Sequence, residues 1–234
     1  MRNFTAVLSV AALFSLPSSA TVIDDFTTTG MPNAFFAPSP ACGSPSSGNV
    51  SGTNTMGGTN VNRSVMLENT GNACAQMYID IGGTLDRLDI GTVLGAQAKA
   101  TITWDVPFGT PGSPVSFAGD PYITFLAGQD GGSVSDTTTF RFTVCSRDGT
   151  CAITTATLTG NTGGNLVSLY ANLMGIGLTQ AQLADIKSVT LVVEGGPAYD
   201  ITIDQIMTGI PEPGSMALLG AGLVALGVYR RRKS

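Results

Sequence analysis

Strict alternation of apolar and polar residues is the pattern that most constrains this chain. Over residues 98–106 every second side chain is apolar, and the residues between them are polar or charged. Because successive side chains of a β-strand point to opposite faces, this stretch predicts a strand whose buried face includes Trp104. The same alternation joins Phe140, Phe142 and Val144. We therefore predict that these residues form core, and that Trp104 is a packing residue rather than a sugar-stacking platform.

Short runs of this kind, separated by glycines, recur along the body of the chain, which is rich in Gly, Thr, Ser and Val. About ten short strands joined by loops are typical of two packed antiparallel sheets. The sequence thus predicts an all-β fold, a β-sandwich of two sheets. The predicted strands are 22–26, 64–68, 76–81, 99–106, 122–126, 138–145, 152–158, 166–170, 188–193 and 200–207.

Two segments depart from the strand pattern. Residues 27–62 are rich in Gly, Ser, Thr, Pro and Asn and poor in apolar residues, so we predict a surface segment held by Cys42. Residues 180–187 form the one predicted helix, because Thr179 and Gln182 have the spacing of a capping box. Leu183 and Ile186 would give this helix one apolar edge.

Residues 1–20 have the organisation of a secretory signal peptide. Arg2 supplies the positive charge, residues 4–16 are apolar, and Pro17 precedes the small residues of 18–20. A buried N-terminal helix is the alternative interpretation. We predict cleavage after Ala20, which makes Thr21 the first residue of the mature chain.

Four cysteines are an even number in a chain with an export signal, which favours two disulfides over four free thiols. Cys145 and Cys151 enclose a short loop whose Asp-Gly pair predicts a hairpin turn, so we pair them with each other. Cys42 is then paired with Cys74. Neither pair has the spacing of a zinc site, and the chain contains no histidine to complete one.

Charge and composition exclude several classes of function. Removal of Arg2 and the four terminal cations leaves six cations against sixteen acids, a net charge of about −10, which argues against a nucleic-acid partner or an anionic membrane surface. A chain without histidine cannot form a Ser-His-Asp or Cys-His arrangement by itself. A pair of carboxylates could still hydrolyse glycosides, but no spacing shows which acids converge, and we predict that the protein is not an enzyme. The available aspartates are Asp80, Asp86, Asp89, Asp105 and Asp120.

The end of the sequence combines three features. Pro211, Glu212 and Pro213 form an extended, accessible tripeptide, because proline fixes φ and lacks an amide hydrogen. Residues 216–229 carry no charge over about 21 Å of predicted helix, which is shorter than a stable membrane span. A cluster of cations follows and would stay on the cytoplasmic side. The cations are Arg230, Arg231, Arg232 and Lys233.

This combination resembles the PEP-CTERM sorting signal of exported bacterial proteins; the alternative is a plain tail anchor with a chance Pro-Glu-Pro. The resemblance implies an exosortase, a membrane-embedded enzyme of cysteine protease or transpeptidase type, that cuts near Pro211-Glu212-Pro213 and releases or transfers the upstream domain. It also implies general export machinery, a transient stay in the inner membrane, and a final location at the cell surface or in the exopolysaccharide matrix. The chain would then comprise a signal peptide (1–20), a β-sandwich ectodomain (21–209) and a sorting signal (210–234).

The two ends of the predicted ectodomain are similar to jelly-roll carbohydrate-binding modules, in which the first and last strands are neighbours. That similarity implies a structural Ca²⁺ near these strands, with Asp204 and either Asp24 or Asp25 as ligands, since alternation puts Asp24 and Asp25 on opposite faces. No other cofactor is predicted.

Three functions follow from the sequence. The first is a structural protein of the surface or matrix, and the second is a binding module for extracellular polysaccharide. The third, a glycan-active enzyme that uses two aspartates, has the least support.

Overall fold

The computed structural model describes residues 20–27, 35–37, 47–69, 77–81, 87–92, 98–107, 114–131, 136–196 and 199–209. These residues form thirteen strands and one short helix, in two antiparallel sheets, which confirms the predicted all-β, jelly-roll-like sandwich. The elements are β1 (Val22–Asp24), β2 (Phe35–Ala37), β3 (Ser47–Met56), β4 (Thr59–Asn69), β5 (Met77–Ile81), β6 (Leu88–Thr92), β7 (Ala98–Asp105), β8 (Tyr122–Gly131), β9 (Thr137–Ser146), β10 (Cys151–Thr159), β11 (Val167–Asn172), α1 (Gln180–Leu183), β12 (Ile186–Glu194) and β13 (Tyr199–Thr208).

The first and last strands, β1 and β13, both belong to sheet A. Sheet A has the strand order β11-β8-β13-β6-β5-β2, and β1 pairs with β13 outside this path. Sheet B has the order β10-β9-β12-β7-β4-β3. Val22 lies opposite Met207, and Asp24 lies opposite Ile206. The first and last strands are therefore neighbours, as the sequence predicts.

The core lies between the inner faces of the two sheets. Trp104 is fully buried on β7, and Phe140, Phe142 and Val144 are fully buried on β9. The Phe125 ring of sheet A lies with its centroid 5.0 Å from that of Phe140. The core prediction from alternation is confirmed for these residues, because one face of each strand is covered by the opposite sheet.

The prediction that residues 27–62 contribute no core is wrong for its second half. Strand β3 pairs with β4 along its whole length, from Ser47 opposite Glu68 to Met56 opposite Thr59. Met56 is fully buried. Polar residues dominate this strand, so its pairing rests on backbone hydrogen bonds that hydrophobic periodicity does not report.

The predicted helix 180–187 is too long. Helix α1 ends at Leu183, and Ile186 is already the first residue of β12, where its side chain is fully buried. The capping box is confirmed: the Gln182 amide donates to Thr179 Oγ1, and the Thr179 amide donates to Gln182 Oε1. Burial in the sheet outweighs helix propensity at Ile186.

One predicted disulfide is confirmed. Cys145 and Cys151 lie opposite each other at the β9–β10 hairpin and are bonded, with Cα atoms 4.1 Å apart. This separation is close to that of directly opposed, non-hydrogen-bonded residues in antiparallel strands. The predicted Cys42–Cys74 pair lies outside the described residues.

Candidate functional site

The carboxylate of Asp24, the last residue of strand β1, lies in the protein interior. Asp24 and Arg63 are both fully buried, and Arg63 Nη1 lies 3.0 and 2.7 Å from the two carboxylate oxygens of Asp24. Trp104 Nε1 donates to Asp24 Oδ2 over 2.7 Å, and the Phe26 amide donates to Asp24 Oδ1 over 2.8 Å. Both oxygens of Asp24 therefore accept hydrogen bonds from charged or polar donors, and the buried charge is balanced. We call Asp24, Arg63 and Trp104 the Asp24 cluster.

Asp24 and Asp25, two of the predicted calcium ligands, have other partners in the structure. Asp24 is held by Arg63, while Asp25 Oδ1 accepts from the Thr27 amide over 3.2 Å and from Thr27 Oγ1 over 2.8 Å. Asp204 lies on β13 opposite Leu126, before a bulge at Gln205. Within the described residues, no group of three or more His, Cys, Asp or Glu side chains has the arrangement of a metal site. The separation of Asp24 from Asp25 by alternation agrees with their burial, since Asp24 is buried and Asp25 is partly exposed.

A second buried carboxylate lies where the ectodomain begins and ends. Asp120 is 5% exposed, and its Oδ2 accepts a short hydrogen bond from Thr208 Oγ1. The same Thr208 hydroxyl accepts from the Thr21 amide over 3.1 Å. A β-carbon built on Gly209 would lie 3.4 Å from Asp120 Oδ1 and 3.8 Å from the Cα of Ala20. We call these five residues the processing corner, because the predicted signal-peptide cleavage bond and the last described residue before Pro211-Glu212-Pro213 meet there.

The opposite end of sheet A carries an open cleft of about 350 Å³. Its acidic side chains come from three neighbouring strands: Asp89 from β6, Asp130 from β8 and Asp200 from β13. Asp200 lies directly opposite Asp130 in the β8–β13 pair. The cleft, which we call the distal cleft, is lined by Arg87, Asp89, Ile90, Asp130, Gly164, Asp200, Ile201 and Thr202.

Fixed hydrogen bonds orient one side of this cleft. Asp89 accepts from Arg87 Nε over 2.8 Å and from Thr202 Oγ1 over 2.6 Å. Asp130 and Asp200 are exposed at the surface. The cleft therefore presents hydrogen-bond acceptors to solvent, beside one guanidinium group that is held in place.

The loop that carries Gly164 closes the cleft at β8. The amide and the hydroxyl of Thr162 donate to the Gln129 carbonyl oxygen over 2.8 and 3.0 Å. This loop crosses directly over Gly128, where a β-carbon would lie 2.9 Å from the Asn165 carbonyl oxygen. A side chain at position 128 would displace the loop, so this wall of the cleft depends on glycine.

An aromatic pair lies on β8 and β11, at the end of sheet A nearer the processing corner. The rings of Tyr122 and Tyr170 meet edge to face, with centroids 6.0 Å apart. Tyr170 is 49% exposed. The sequence does not predict this aromatic pair, because positions 122 and 170 are brought together only by the pairing of β8 with β11.

The sequence alone indicates some of these residues but not the contacts between them. Asp24 and Asp89 were named as a candidate ligand and a candidate catalytic acid, and the structure places them in different sites. Asp120 was named only among scattered acids, and the opposition of Asp130 and Asp200 was not predicted. No sequence spacing reports either feature, because each depends on which strands are neighbours.

The predicted sorting residues lie outside the described residues: Pro211, Glu212, Pro213, Arg230, Arg231, Arg232 and Lys233. The apolar segment 216–229 also lies outside them. In the part of the chain that the structure describes, no helix has the length and apolar character needed to cross a membrane.

Comparison with known proteins identifies the C-terminal segment. Residues 209–233 match the model of the PEP-CTERM protein-sorting motif. The chain therefore carries a sorting motif that implies export and sorting to the cell surface by a membrane-embedded exosortase. Among curated proteins, no sequence matches this chain.

Solved structures similar to this chain are β-sandwiches. One is the family 11 carbohydrate-binding module of the cellulosomal cellulase Lic26A-Cel5E of Clostridium thermocellum, with 10% identity and a TM-score of 0.38 over 82% of this chain and 95% of that chain. Another is CBM28, a carbohydrate-binding module described as specific for non-crystalline cellulose, with 12% identity and a TM-score of 0.36 over 68% of this chain and 80% of that chain.

Proposed function

We propose that this protein is an exported component of the bacterial cell surface or exopolysaccharide matrix, which an exosortase processes near Pro211-Glu212-Pro213. The sorting motif at residues 209–233 carries this proposal. The Cys145–Cys151 disulfide supports it, because structural disulfides persist in oxidising compartments outside the cytoplasm. The general secretion machinery and the exosortase are the partners, and the inner membrane holds the chain during processing.

The sorting step is tested with the full chain in its native host. Glu212→Ala should block processing, so that the protein keeps its basic C-terminus and accumulates in the inner-membrane fraction. Glu194→Ala, which removes a carboxylate from the surface of the sandwich, serves as the matched control and should be processed normally. Equal processing and location of the Glu212→Ala protein and the wild type would contradict the proposal.

A second proposal concerns what the delivered domain does: it binds extracellular polysaccharide in the distal cleft. The cleft volume of about 350 Å³ lies within the range of small-ligand sites. Carboxylate and guanidinium groups that lie side by side can accept from and donate to vicinal sugar hydroxyls. Since three of the lining side chains are aspartates, the local field opposes acidic polymers and favours a neutral glycan.

The position of the distal cleft agrees with such a role. Asp200 and Thr208 lie near opposite ends of β13, and eight residues of extended chain span about 27 Å. The sorting motif begins beside Thr208, so a domain held through its C-terminus would direct the distal cleft away from the membrane.

Polysaccharide binding is tested by affinity electrophoresis in gels that contain a neutral glucan or alginate. The wild type should be retarded by the neutral glucan and not by alginate. The double variant Asp130→Asn/Asp200→Asn should lose at least about tenfold in affinity, because two charge-assisted hydrogen bonds are replaced by weaker neutral ones. Glu194→Gln on sheet B should bind as the wild type does. Binding that survives the double variant would rule out the distal cleft as the site, and the prediction that the domain is not an enzyme stays a prediction.

A further inference from the structure

The carboxylate of Asp120 has a buried oxygen that no hydrogen bond satisfies. Its Oδ2 accepts from Thr208 Oγ1, but Oδ1 is buried and has no hydrogen-bond partner among the described residues. No cation of the described residues forms an ion pair with Asp120, whereas the buried Asp24 has Arg63. A buried carboxylate oxygen without a donor is costly, so a missing donor is expected at this position.

The nearest chemical change that maturation makes is at Thr21. In the unprocessed chain the Thr21 nitrogen is an amide that donates its single hydrogen to Thr208 Oγ1 over 3.1 Å. Because Thr208 Oγ1 is hydrogen-bonded to both groups, the Thr21 nitrogen and Oδ2 of the Asp120 carboxylate are at most about 6 Å apart. An opposite charge at this distance interacts strongly with a buried carboxylate.

Cleavage after Ala20 would supply the missing donor. Hydrolysis of the Ala20–Thr21 peptide bond consumes one water and leaves a carboxylate on Ala20, which departs with the signal peptide, and an ammonium group on Thr21. This ammonium carries three hydrogens in place of one and a positive charge at neutral pH. One hydrogen can keep the bond to Thr208 Oγ1, and another is available for Asp120 Oδ1.

We propose that Asp120 is the binding site for the α-ammonium group of the mature N-terminus, and that signal-peptide removal completes the sandwich at the processing corner. The contacts around Thr21 hold it in position for this role. Its hydroxyl donates to the Ser116 carbonyl oxygen over 3.0 Å, and its carbonyl oxygen accepts from the Thr208 amide over 2.8 Å. The ion pair would therefore fasten β1 to the last residues of β13, beside the start of the sorting motif.

This inference rests on the proposed export of the chain and on cleavage after Ala20. Three features of the fold make the pairing specific to a chain that begins at residue 21. Thr208 is fully buried, Asp120 is 5% exposed, and Ala20 is exposed. A chain that retained residues 18–20 would carry its charged terminus three residues earlier and leave an uncharged amide at Thr21.

The test compares two forms of the full chain, both exported by the native host. One has the native signal peptide, and the other has a substituted signal peptide whose cleavage leaves residues 18–20 ahead of Thr21. Mass spectrometry of the N-terminus verifies both forms and so tests export separately from the ion pair. Asp120→Asn is introduced into both forms, and Asp25→Asn, which removes a partly exposed carboxylate from the same N-terminal segment, is the matched control.

The form that begins at Thr21 should melt about 4–8 °C higher than the form that retains residues 18–20. Asp120→Asn should abolish this difference, while Asp25→Asn should preserve it. Amine-reactive labelling gives a second readout that does not depend on a variant. The α-amine of folded wild-type protein should react at least about tenfold more slowly than the same amine in urea.

Equal melting temperatures of the two forms would overturn the inference while leaving export intact. A difference that persists in the Asp120→Asn background would overturn it as well, because the stabilisation would then come from elsewhere. Rapid labelling of the folded protein at Thr21 would show that the ammonium group is solvated and not bound. A mature N-terminus other than Thr21 would also refute it.

Discussion

Acidic side chains are buried at one end of sheet A and exposed at the other. Near β1, Asp24 and Asp120 are buried, and each is held by groups from distant parts of the chain. At the other end, Asp130 and Asp200 are exposed and lie directly opposite each other on neighbouring strands. Buried charges need a counter-charge or hydrogen bonds, whereas exposed like charges on neighbouring strands reduce stability only slightly. The comparison gives the first pair a structural role and is compatible with the binding role proposed for the second.

The largest effect is expected from breaking the Asp24 cluster. Asp24→Asn leaves the fully buried Arg63 guanidinium without its counter-charge, and should lower the free energy of unfolding by about 3–5 kcal/mol. Denaturant unfolding of the exported protein measures this loss.

Two further variants control this prediction. The double variant Asp24→Asn/Arg63→Met should recover part of the loss, because it removes the uncompensated charge. Arg141→Gln, at an exposed pair 3.4 Å from Glu194, should cost less than about 1 kcal/mol. If Asp24→Asn lowered the free energy of unfolding no more than Arg141→Gln does, the stability of the protein would not depend on the buried Asp24–Arg63 pair.

A smaller loss is expected from Trp104→Phe, which keeps most of the buried ring and removes the donor to Asp24 Oδ2. A hydrogen bond to a charged group contributes about 1.5–3 kcal/mol, and the variant should lose stability within that range. The same denaturation experiment in the Asp24→Asn background should show a reduced effect of Trp104→Phe. Additive losses would mean that Trp104 acts by packing alone.

At the distal cleft, removal of a carboxylate should raise the free energy of unfolding instead of lowering it. Asp130→Asn removes one of two like charges that lie opposite each other, and should raise stability by about 0.2–1 kcal/mol at low salt. The gain should vanish in about 1 M salt, where the Debye length is about 3 Å. A loss of stability in low salt would mean that the hydrogen bond from the Gly131 amide to Asp130 Oδ1 outweighs the repulsion.

The smallest effect is expected for the pKa of Asp148, an exposed acid that accepts hydrogen bonds from neighbouring residues. At the β9–β10 turn the side chain of Gln182 donates to Asp148 over 2.9 Å, and together with the Thr150 amide it lowers the pKa of Asp148 below its ordinary value of 3.8. A carboxyl whose pKa is lowered by folding stabilises the fold above its unfolded pKa, and this contribution disappears as pH falls through the folded pKa.

Gln182→Ala removes the largest cause of this shift, so the pKa of Asp148 should rise towards its ordinary value in an NMR titration. Gln180→Ala is the control, because Gln180 lies on the same helix and donates nothing to Asp148 within the described contacts. An unchanged pKa in the Gln182→Ala protein would show that the backbone of the turn sets the shift.

The sequence predicts those parts of the fold that depend on apolar alternation. Strands with clear periodicity, such as β7 and β9, and the buried position of Trp104 were predicted correctly. Strand β3 was missed because its residues are mostly polar, and the helix was predicted too long because Ile186 belongs to the sheet.

The candidate sites were harder to predict than the fold. Asp24 was predicted as a calcium ligand. Its partner Arg63 is 39 residues away in sequence and was not predicted. The side-chain partner of Asp120, Thr208, is 88 positions away, and nothing local marks Asp120 as buried. Sorting signals, by contrast, are read as short linear segments, so Pro211-Glu212-Pro213 and its basic end could be recognised without any structure.

The central proposal is that this chain is cut at two places, after Ala20 and near Pro211-Glu212-Pro213. Intact mass spectrometry of the protein purified from the surface fraction of its native host tests it most directly. The claim predicts a chain that begins at Thr21 and lacks Arg230, Arg231, Arg232 and Lys233. A cytoplasmic protein that retains both its first twenty residues and those terminal cations would contradict it.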